Sequence, residues 1–333
     1  MTNNQMMQAA IHRSFGEPAE VIETVNLAIP EPKADEVQIK MIYSPIHNHD
    51  LWTIRGTYGY KPELPEAGGS EAVGIVTKLG ADVTNLQVGQ RVAIAATHGT
   101  WGEYFTGPAA SCVPIPEQMS DEDAAQLIAM PFSSITLLDS LNVTAGDWII
   151  LNAASGMIGK TTAMLGKARG INVINVVRRN AAVEELKALG LDYVVFTENS
   201  DWMDQVRAIV KDQPIKAAVD SISGQASYDL AELLAYKGTL VSFGTLEQEP
   251  VKVSVGALIF KQINVRGFWG LIEIREMPAE KRAALMQELM QHIIAKRIVL
   301  PVAGIYPLEQ AAQACAASLA PGKNGKVLIA GSK

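Results

Sequence analysis

The sequence predicts an α/β protein in two parts: a β-rich, barrel-like domain and a doubly wound, parallel-sheet domain inserted into it. Three observations predict this. The first third is a series of short strand-like segments punctuated by Gly, Pro, Asp and Asn. From Trp148 onward, strand and helix patterns alternate at short pitch. The tail after Lys296 reads strand, helix, strand, too short for a domain of its own. A chain of 333 residues fits two domains, at roughly 100–200 residues each.

Taken in order, Val37–Tyr43, Gly74–Leu79 and Arg91–Ala96 read as strands, separated by turn-rich pieces at Ile29–Pro32, Gly56–Pro65 and Val88–Gln90. Ser120 followed by Asp121, Glu122 and Asp123 is a helix-start signal, and apolar residues continue at helical spacing toward Leu141. Strands are then expected at Trp148–Leu151, Asn172–Val177, Tyr193–Phe196, Ala217–Val219, Thr239–Phe243 and Ile263–Val265. Helices are expected at Gly159–Gly170, Ala181–Leu189, Trp202–Val210 and Ala226–Tyr236. Pro278–Lys296 is a periodic helix with Leu285, Leu289 and Ile293 on one face. The tail brings a strand after Val299, a helix at Leu308–Leu319 and a strand at Lys326–Ile329, and it is expected to rejoin the first domain. The expected domains are thus residues 1–122 with 297–333, and residues 123–296.

Hydrophobic residues make up 48% of the chain and charged residues 19%, enough apolar content for two cores. The net charge of -7 argues against a non-specific nucleic-acid partner, and it is compatible with a local basic pocket for a phosphorylated ligand. Cys112 and Cys315 belong to no C-x-x-C pair, so they read as buried thiols rather than a disulfide framework. The first sixteen residues show neither a long apolar run nor an Arg-rich amphipathic face, so no leader peptide is expected. No apolar run reaches the ~18 residues that a membrane span requires. A reducing cytoplasm is the expected setting.

The segment from Trp148 to Gly159 runs from an apolar strand through Ala153-Ala-Ser-Gly-Met-Ile-Gly159 into a helix. Gly156 lets backbone amides approach a pyrophosphate, Gly159 lets the helix pack closely, and the helix N-terminus offers free N–H groups. Ser155, Gly156, Met157, Ile158 and Gly159 are therefore candidate cofactor contacts of a Rossmann-type site. The bland alternative is a glycine turn without a ligand. A phosphate-loop reading overlaps it, with Lys160 on phosphate, Thr161 on magnesium and Asp220 as the acid partner, but Ala154 stands where that motif needs its first glycine. Lys160 otherwise reads as a solvated first-turn residue. The second strand ends in Arg178-Arg179, 22 residues after Gly156, where a site for NAD usually carries Asp or Glu. Two guanidinium groups there would pair with a 2′-phosphate, which points to NADPH; two solvated arginines are the alternative.

Three passages carry a family resemblance: Gly56-Thr-Tyr-Gly-Tyr-Lys-Pro-Glu-Leu-Pro65 followed by Gly68-Gly-Ser-Glu71; Asn175-Val-Val-Arg178; and Leu258-Ile-Phe-Lys-Gln-Ile-Asn-Val-Arg-Gly-Phe-Trp269. The chain resembles the medium-chain dehydrogenase/reductase superfamily over essentially its whole length, the 2-enoyl thioester reductases most closely and the quinone reductases next. The resemblance implies a GroES-like β-barrel catalytic domain, an inserted Rossmann domain, and a homodimer joined through the Rossmann sheet edge. Zinc members carry Gly-His-Glu; here the triplet is Gly69-Ser70-Glu71, and His47 and His49 stand at i,i+2 with no third ligand in evidence, so no metal is expected.

The resemblance further implies hydride delivery from NADPH to the β-carbon of an activated C=C bond. Tyr58 matches the family tyrosine that supplies or orients the α-carbon proton; without the resemblance, a tyrosine in a Gly-Thr-Tyr-Gly loop reads as a packing residue. Tyr60 and Trp101 are implied substrate-pocket residues, with a core tryptophan as the other reading of Trp101. Phe243, Gly244, Thr245 and Leu246, then Phe268, Trp269, Gly270 and Leu271, match cofactor-side loops, and Lys326 matches a cofactor-contacting lysine, otherwise a solvated turn residue. Met130-Pro131 departs from the Asn-Pro common in enoyl reductases. The resulting expectation is an NADPH-dependent reductase of 2-enoyl thioesters. A quinone or enone reductase and a non-catalytic NADPH-binding sensor are its rivals.

Overall fold

The computed structural model describes residues 5–332 apart from Ala96. The expectations for residues 1–4 and for Ala96 lie outside the described residues. The chain forms two compact units, one running to Ala129 and resuming at Leu300, the other Met130–Val299.

In the first unit the strands before the insertion are β1 (Met6–His12), β2 (Ile22–Ala28), β3 (Glu36–Pro45), β4 (Glu66–Ala67), β5 (Glu71–Leu79), β6 (Arg91–Ala95), β7 (Tyr104–Pro108) and β8 (Val113–Pro114). A small antiparallel sheet runs β2-β1-β4. A larger one runs from the return strands Val302–Pro307 and Lys326–Ala330 through β3, β5 and β6 to β8, with β7 also on β3. The tail rejoins this unit because Lys326–Ala330 pairs antiparallel with β3, Ile329 facing Ser44. The core beneath holds Ile39, Met41, Val76, Ile94, Trp101 and Leu308, all nearly inaccessible. Inward-facing apolar side chains from strands of this sheet supply it, as expected for a sheet with one packed face.

The second unit contains β9 (Trp148–Leu151), β10 (Asn172–Val177), β11 (Val194–Phe196), β12 (Ile215–Asp220), β13 (Thr239–Ser242) and β14 (Asn264–Gly267). All pairings are parallel, in the order β11-β10-β9-β12-β13-β14. Helices Met157–Ala168, Ala181–Ala188, Trp202–Val210 and Gln225–Leu233 connect them. Every residue of β9 is buried, as a central parallel strand covered on both faces requires. Strand order reverses between β9 and β12, and ligands of such sheets bind outside the carboxyl ends at that point.

Three differences from the expected elements have local causes. The helical pattern from Ser120 toward Leu141 is broken into Asp121–Ala125, a π-helical turn Ile128–Phe132 and Ser133–Ser140. Ser120 does cap the first piece, its Oγ accepting the Asp123 N–H at 3.1 Å. Pro131 interrupts the rest, because it donates no hydrogen bond and crowds the preceding turn. Gln225–Leu233 stops three residues short of Tyr236, where Leu234 turns extended. The units divide at 129/130 and 299/300 rather than at 122/123 and 296/297. The helix Asp121–Ala125 packs on β3 and β5, and Glu71 holds the N–H groups of Ile128 and Ala129, so this stretch stays with the first unit.

Cys112 is half-buried and Cys315 buried, both unpaired, and burial pushes each thiol up to about 12. Among the described residues no helix is long and apolar enough to cross a membrane.

Candidate functional site

Each unit carries a candidate site. In the second, Asn152 follows β9 and Asp220 ends β12; both are buried. The Asn152 amide donates to Asp220 Oδ1 at 2.6 Å, and its Oδ1 accepts the Ser221 N–H at 2.7 Å. Asp220 also accepts the N–H groups of Ile222 at 3.0 Å and Ser223 at 3.1 Å. The Asp220 carbonyl accepts Phe243 N–H at 2.7 Å and Gly244 N–H at 3.3 Å. One buried amide–carboxylate pair thus fixes the carboxyl ends of β9, β12 and β13. Sequence reading missed Asn152; a polar residue closing an all-apolar strand was the available signal.

The glycine turn sits on this frame. Ala153 adopts a left-handed φ of 49°, and Gly156 is the N-cap of the helix Met157–Ala168. A Cβ at Gly159 would lie 2.6 Å from Ala154 Cα, so only glycine allows the helix to approach the turn this closely. Ser155 and Gly156 are exposed, Met157 and Ile158 half-buried, and Gly159 buried. First-turn amides lack intrahelical partners and sit at the positive end of the dipole. The turn therefore fits a pyrophosphate: bare backbone, no blocking side chain, donors at its rim.

The phosphate-loop reading is overturned. Lys160 is buried and ion-paired with Glu185, so it is neither a phosphate ligand nor a solvated residue. Thr161 is fully buried, its Oγ1 directed to Met157 Sδ, and Asp220 is spent on Asn152 and its own loop. Arg178 and Arg179 lie just beyond β10, exposed, and neither has an ion-pair partner among the described residues. Gly244 and Thr245 follow β13, with Thr245 and Leu246 exposed. Phe268 donates its N–H to the Ser242 carbonyl at 3.0 Å and stacks on Phe243 at 5.7 Å between centroids. Trp269 is 64% exposed and caps the helix Gly270–Glu276; Leu271 is exposed as well. A Cβ at Gly270 would lie 2.6 Å from Ser133 Oγ.

In the first unit, the helix Asn48–Arg55 starts at His47, whose N–H donates to Asp50 Oδ2 at 2.8 Å. The other Asp50 oxygen accepts the Ser70 hydroxyl at 2.6 Å. Ser70 Oγ lies 2.7 Å from His49 Nε2, and with its hydrogen given to Asp50 it accepts from that nitrogen. The His49 ring lies between the His47 ring (centroids 4.9 Å apart) and Tyr58 (5.9 Å). Tyr58 is 39% exposed and also neighbours Trp52. Tyr60 stacks on His98 at 4.2 Å; burial raises the phenol of Tyr60 and lowers the His98 imidazole.

Two expected residues sit differently. Trp101 has no accessible surface: its ring lies where a Cβ on Gly68 or Gly69 would fall, at 2.2 and 2.3 Å, so it packs beneath the loop and presents no pocket wall. Lys326 is half-buried and anchored within the first unit rather than a solvated turn residue. Its ammonium donates to the Ile46 carbonyl at 3.2 Å and to His47 Nδ1 at 2.9 Å, and burial lowers it to about 8. His47 then gives its Nε2 hydrogen to Glu71 Oε2 at 2.7 Å. The remaining Glu71 oxygen accepts the N–H groups of Ile128 at 2.6 Å and Ala129 at 2.9 Å. Burial drives Glu71 up to about 7, against those hydrogen bonds and Lys326, and burial holds His47 well below the usual imidazole range. This donor set does not fit zinc. Both His47 nitrogens are engaged, one by an ammonium group, and Ser70 is spent between Asp50 and His49.

Residues 33–117 match the alcohol dehydrogenase GroES-like domain and residues 158–286 the domain described as zinc-binding dehydrogenase. The chain is 31% identical to the human mitochondrial enoyl-[acyl-carrier-protein] reductase over 330 residues, covering 97% of this chain and 88% of that protein. The chain belongs to the medium-chain dehydrogenase/reductase superfamily. It is an oxidoreductase of that superfamily, related to its enoyl reductases and quinone reductases. Among solved structures, a mycobacterial quinone oxidoreductase aligns with TM-score 0.88 at 26% identity, covering 97% of this chain and 99% of that one. The Etr1p/NADP/crotonyl-CoA complex, 22% identical, has the same fold, with TM-score 0.84 over 98% of this chain and 100% of the other.

The buried Glu71 makes a prediction. Its folded pKa near 7 exceeds the ordinary 4.5, so the folded state binds the extra proton between these values and Glu71 disfavours folding progressively as pH rises through that window. His47, held neutral, acts in the opposite sense as pH falls below 6.5. Glu71→Gln removes only the first contribution. Its melting temperature is expected to gain on the wild type between pH 5 and pH 8. A constant difference across that range in a thermal melt would refute the assignment.

Proposed function

We propose that this superfamily member is an NADPH-dependent reductase of the C=C bond of 2-enoyl thioesters. End-to-end likeness to enoyl-[acyl-carrier-protein] reductases is the observation that carries the reading. When bound, NADPH supplies a hydride to the β-carbon of the acceptor.

Ser155, Met157, Ile158 and Gly159 hold the pyrophosphate with backbone amides, and Gly156, whose own N–H closes the turn on the Ala153 carbonyl at 2.9 Å, lets it approach the bare backbone. Arg178 and Arg179 form charge-assisted hydrogen bonds with the 2′-phosphate, supported by their exposed and unpaired guanidinium groups just past β10. Gly244, Thr245, Phe268 and Trp269 border the nicotinamide end. Tyr58 donates the proton that completes reduction at the α-carbon; its exposed phenol supports that role, and Tyr60 lines the substrate side. Lys326 contacts the cofactor; its half-buried ammonium spends two N–H groups on the Ile46 carbonyl and His47 and has a third to offer. The two unpaired thiols suit a reducing, cytoplasmic setting.

A quinone or enone substrate is the second reading. It is favoured by Met130 in the place of the family Asn and by the 26%-identical quinone oxidoreductase. The protein acts as a homodimer joined through β14. That strand ends the six-stranded sheet, so its outer backbone groups are unpaired, and Val265, Ile259 and Phe260 nearby are exposed.

NADPH oxidation assayed with a trans-2-enoyl-CoA and with a quinone separates the readings: faster turnover of the thioester is expected, quinone-only turnover would establish the rival, and tight NADPH binding without turnover a sensor. Tyr58→Phe is expected to lower kcat about 100-fold; an unchanged kcat would remove Tyr58 from the proton step. Replacing both Arg178 and Arg179 with Ala should raise the KM for NADPH about 10-fold or more and leave that for NADH nearly unchanged; equal effects on the two would contradict the 2′-phosphate assignment. Val265→Lys should convert the dimer to a folded monomer by sedimentation, whereas a wild-type monomer would refute the β14 interface.

A further inference from the structure

The Asp50–Ser70–His49 chain is used neither by the fold of the core nor by the reading above. It has three properties of a proton-handling device. Its carboxylate is buried: Asp50 is 4% exposed, and both oxygens are engaged, Oδ2 by the His47 N–H and Oδ1 by the Ser70 hydroxyl. Its hydroxyl fixes a tautomer: with its own hydrogen on Asp50, Ser70 accepts from His49 Nε2, so His49 carries hydrogen there and leaves Nδ1 as an open acceptor. Its imidazole meets solvent: the His49 side chain keeps 26% of its surface, and Nδ1 has no hydrogen-bond partner among the described residues. The next ring beyond His49 is that of Tyr58, itself 39% exposed. A carboxylate orienting an imidazole through a hydroxyl obeys the logic of triads, in which a buried acid sets the tautomer and balances the charge of the ring while it carries a proton.

We propose that His49 is a positioning and proton-supply residue that acts through Tyr58. The inference rests on the reading of Tyr58 as proton donor. When the phenol gives its proton to the α-carbon, the O–H bond breaks, the C–H bond forms and a phenolate remains. His49 Nδ1 takes a proton from solvent, with Asp50 as counter-charge through Ser70. It then passes that proton to the phenolate by way of a solvent water: the Nδ1–H bond breaks and the phenolic O–H bond is restored. No electrons change hands in this step. The net uptake is the one proton that accompanies hydride addition to a C=C bond.

Two measurements test this. The first needs no turnover. In a long-range proton–nitrogen NMR spectrum, the His49 ring, identified by its loss in His49→Phe, should show the Nε2–H tautomer, and Ser70→Ala should mix the tautomers. An Nδ1–H tautomer in the wild type would overturn the hydrogen-bond chain. The second is kinetic. His49→Phe, which keeps a stacked ring, and His49→Ala should both lower kcat about 10-fold or more with KM changed less than about 3-fold. Added imidazole should restore kcat in His49→Ala but not in the wild type. Unchanged kcat in both variants, or a loss in His49→Ala that imidazole does not relieve, overturns the proposal. A wild type that oxidises NADPH with neither acceptor overturns the functional reading instead, and the tautomer spectrum still decides whether the chain is built as described.

Discussion

The buried hydrogen bond between Asn152 and Asp220 is the constraint on which the second unit's site depends. Two neighbouring parallel strands whose following connections lead to opposite sides of the sheet open a crevice at their carboxyl ends. A crevice is useful only if its rims hold still. Here a single amide spans β9 and β12, with its carboxylate partner gathering the next loop's N–H groups and the Asp220 backbone carbonyl gathering those after β13. The arrangement is fully buried, so its polar atoms cannot fall back on water, and losing one partner would strand the other. That cost makes the loops' positions definite. The exposed turn at Ser155 and Gly156 inherits its geometry from this frame and from Gly159, whose missing Cβ sets the closeness of helix and turn.

The first unit applies the same logic with charges. Asp50 serves two masters: one oxygen starts the helix Asn48–Arg55, the other holds Ser70. Glu71, the residue after Ser70, binds His47 and the backbone at Ile128 and Ala129. Ser70 lies in the bend before β5 and Glu71 is the first residue of that strand, so one dipeptide feeds two networks that meet at His47, its N–H on Asp50 and its ring on Glu71. One is buried at His47 and Glu71 and ends at the half-buried Lys326; the other opens to solvent at His49. Burial makes the first network costly, and it is tolerated because every member is hydrogen-bonded.

Much of this was legible in the residues alone. The parallel strands could be placed because strands covered on both faces are largely apolar runs, and β9 and β10 match their expected limits to the residue. The helix over Trp202–Val210 does as well, because its apolar stripe is strongly periodic. The glycine turn and the arginines after β10 were readable from spacing. Helix ends and breaks were less so: the Ser120 signal was right, but its apolar continuation hid a π turn around Pro131. Residue roles that depend on a partner distant in sequence were not readable at all. Lys160 looked solvated and is paired with Glu185; nothing near Lys326 in the sequence pointed to its bond with His47; Trp101 follows its core reading, but which loop it packs beneath could not be read.

The division has one physical reason. Sequence by itself determined the features that arise from local periodicity and from residues whose conformational limits are intrinsic: the alternation of strands and helices, the glycine that only a close approach explains, the absence of His at residue 70, the two guanidinium groups after β10. Only the tertiary structure decided which polar groups meet, because burial and hydrogen bonding are properties of pairs that can lie hundreds of positions apart, as Lys326 and His47 do. A lysine or a serine has the same local preferences wherever it ends up. The role of Ser70, joining Asp50 to His49 instead of standing idle at a position left by a metal ligand, was set by the fold bringing the bend before β5 to the first turn of the helix that begins after His47.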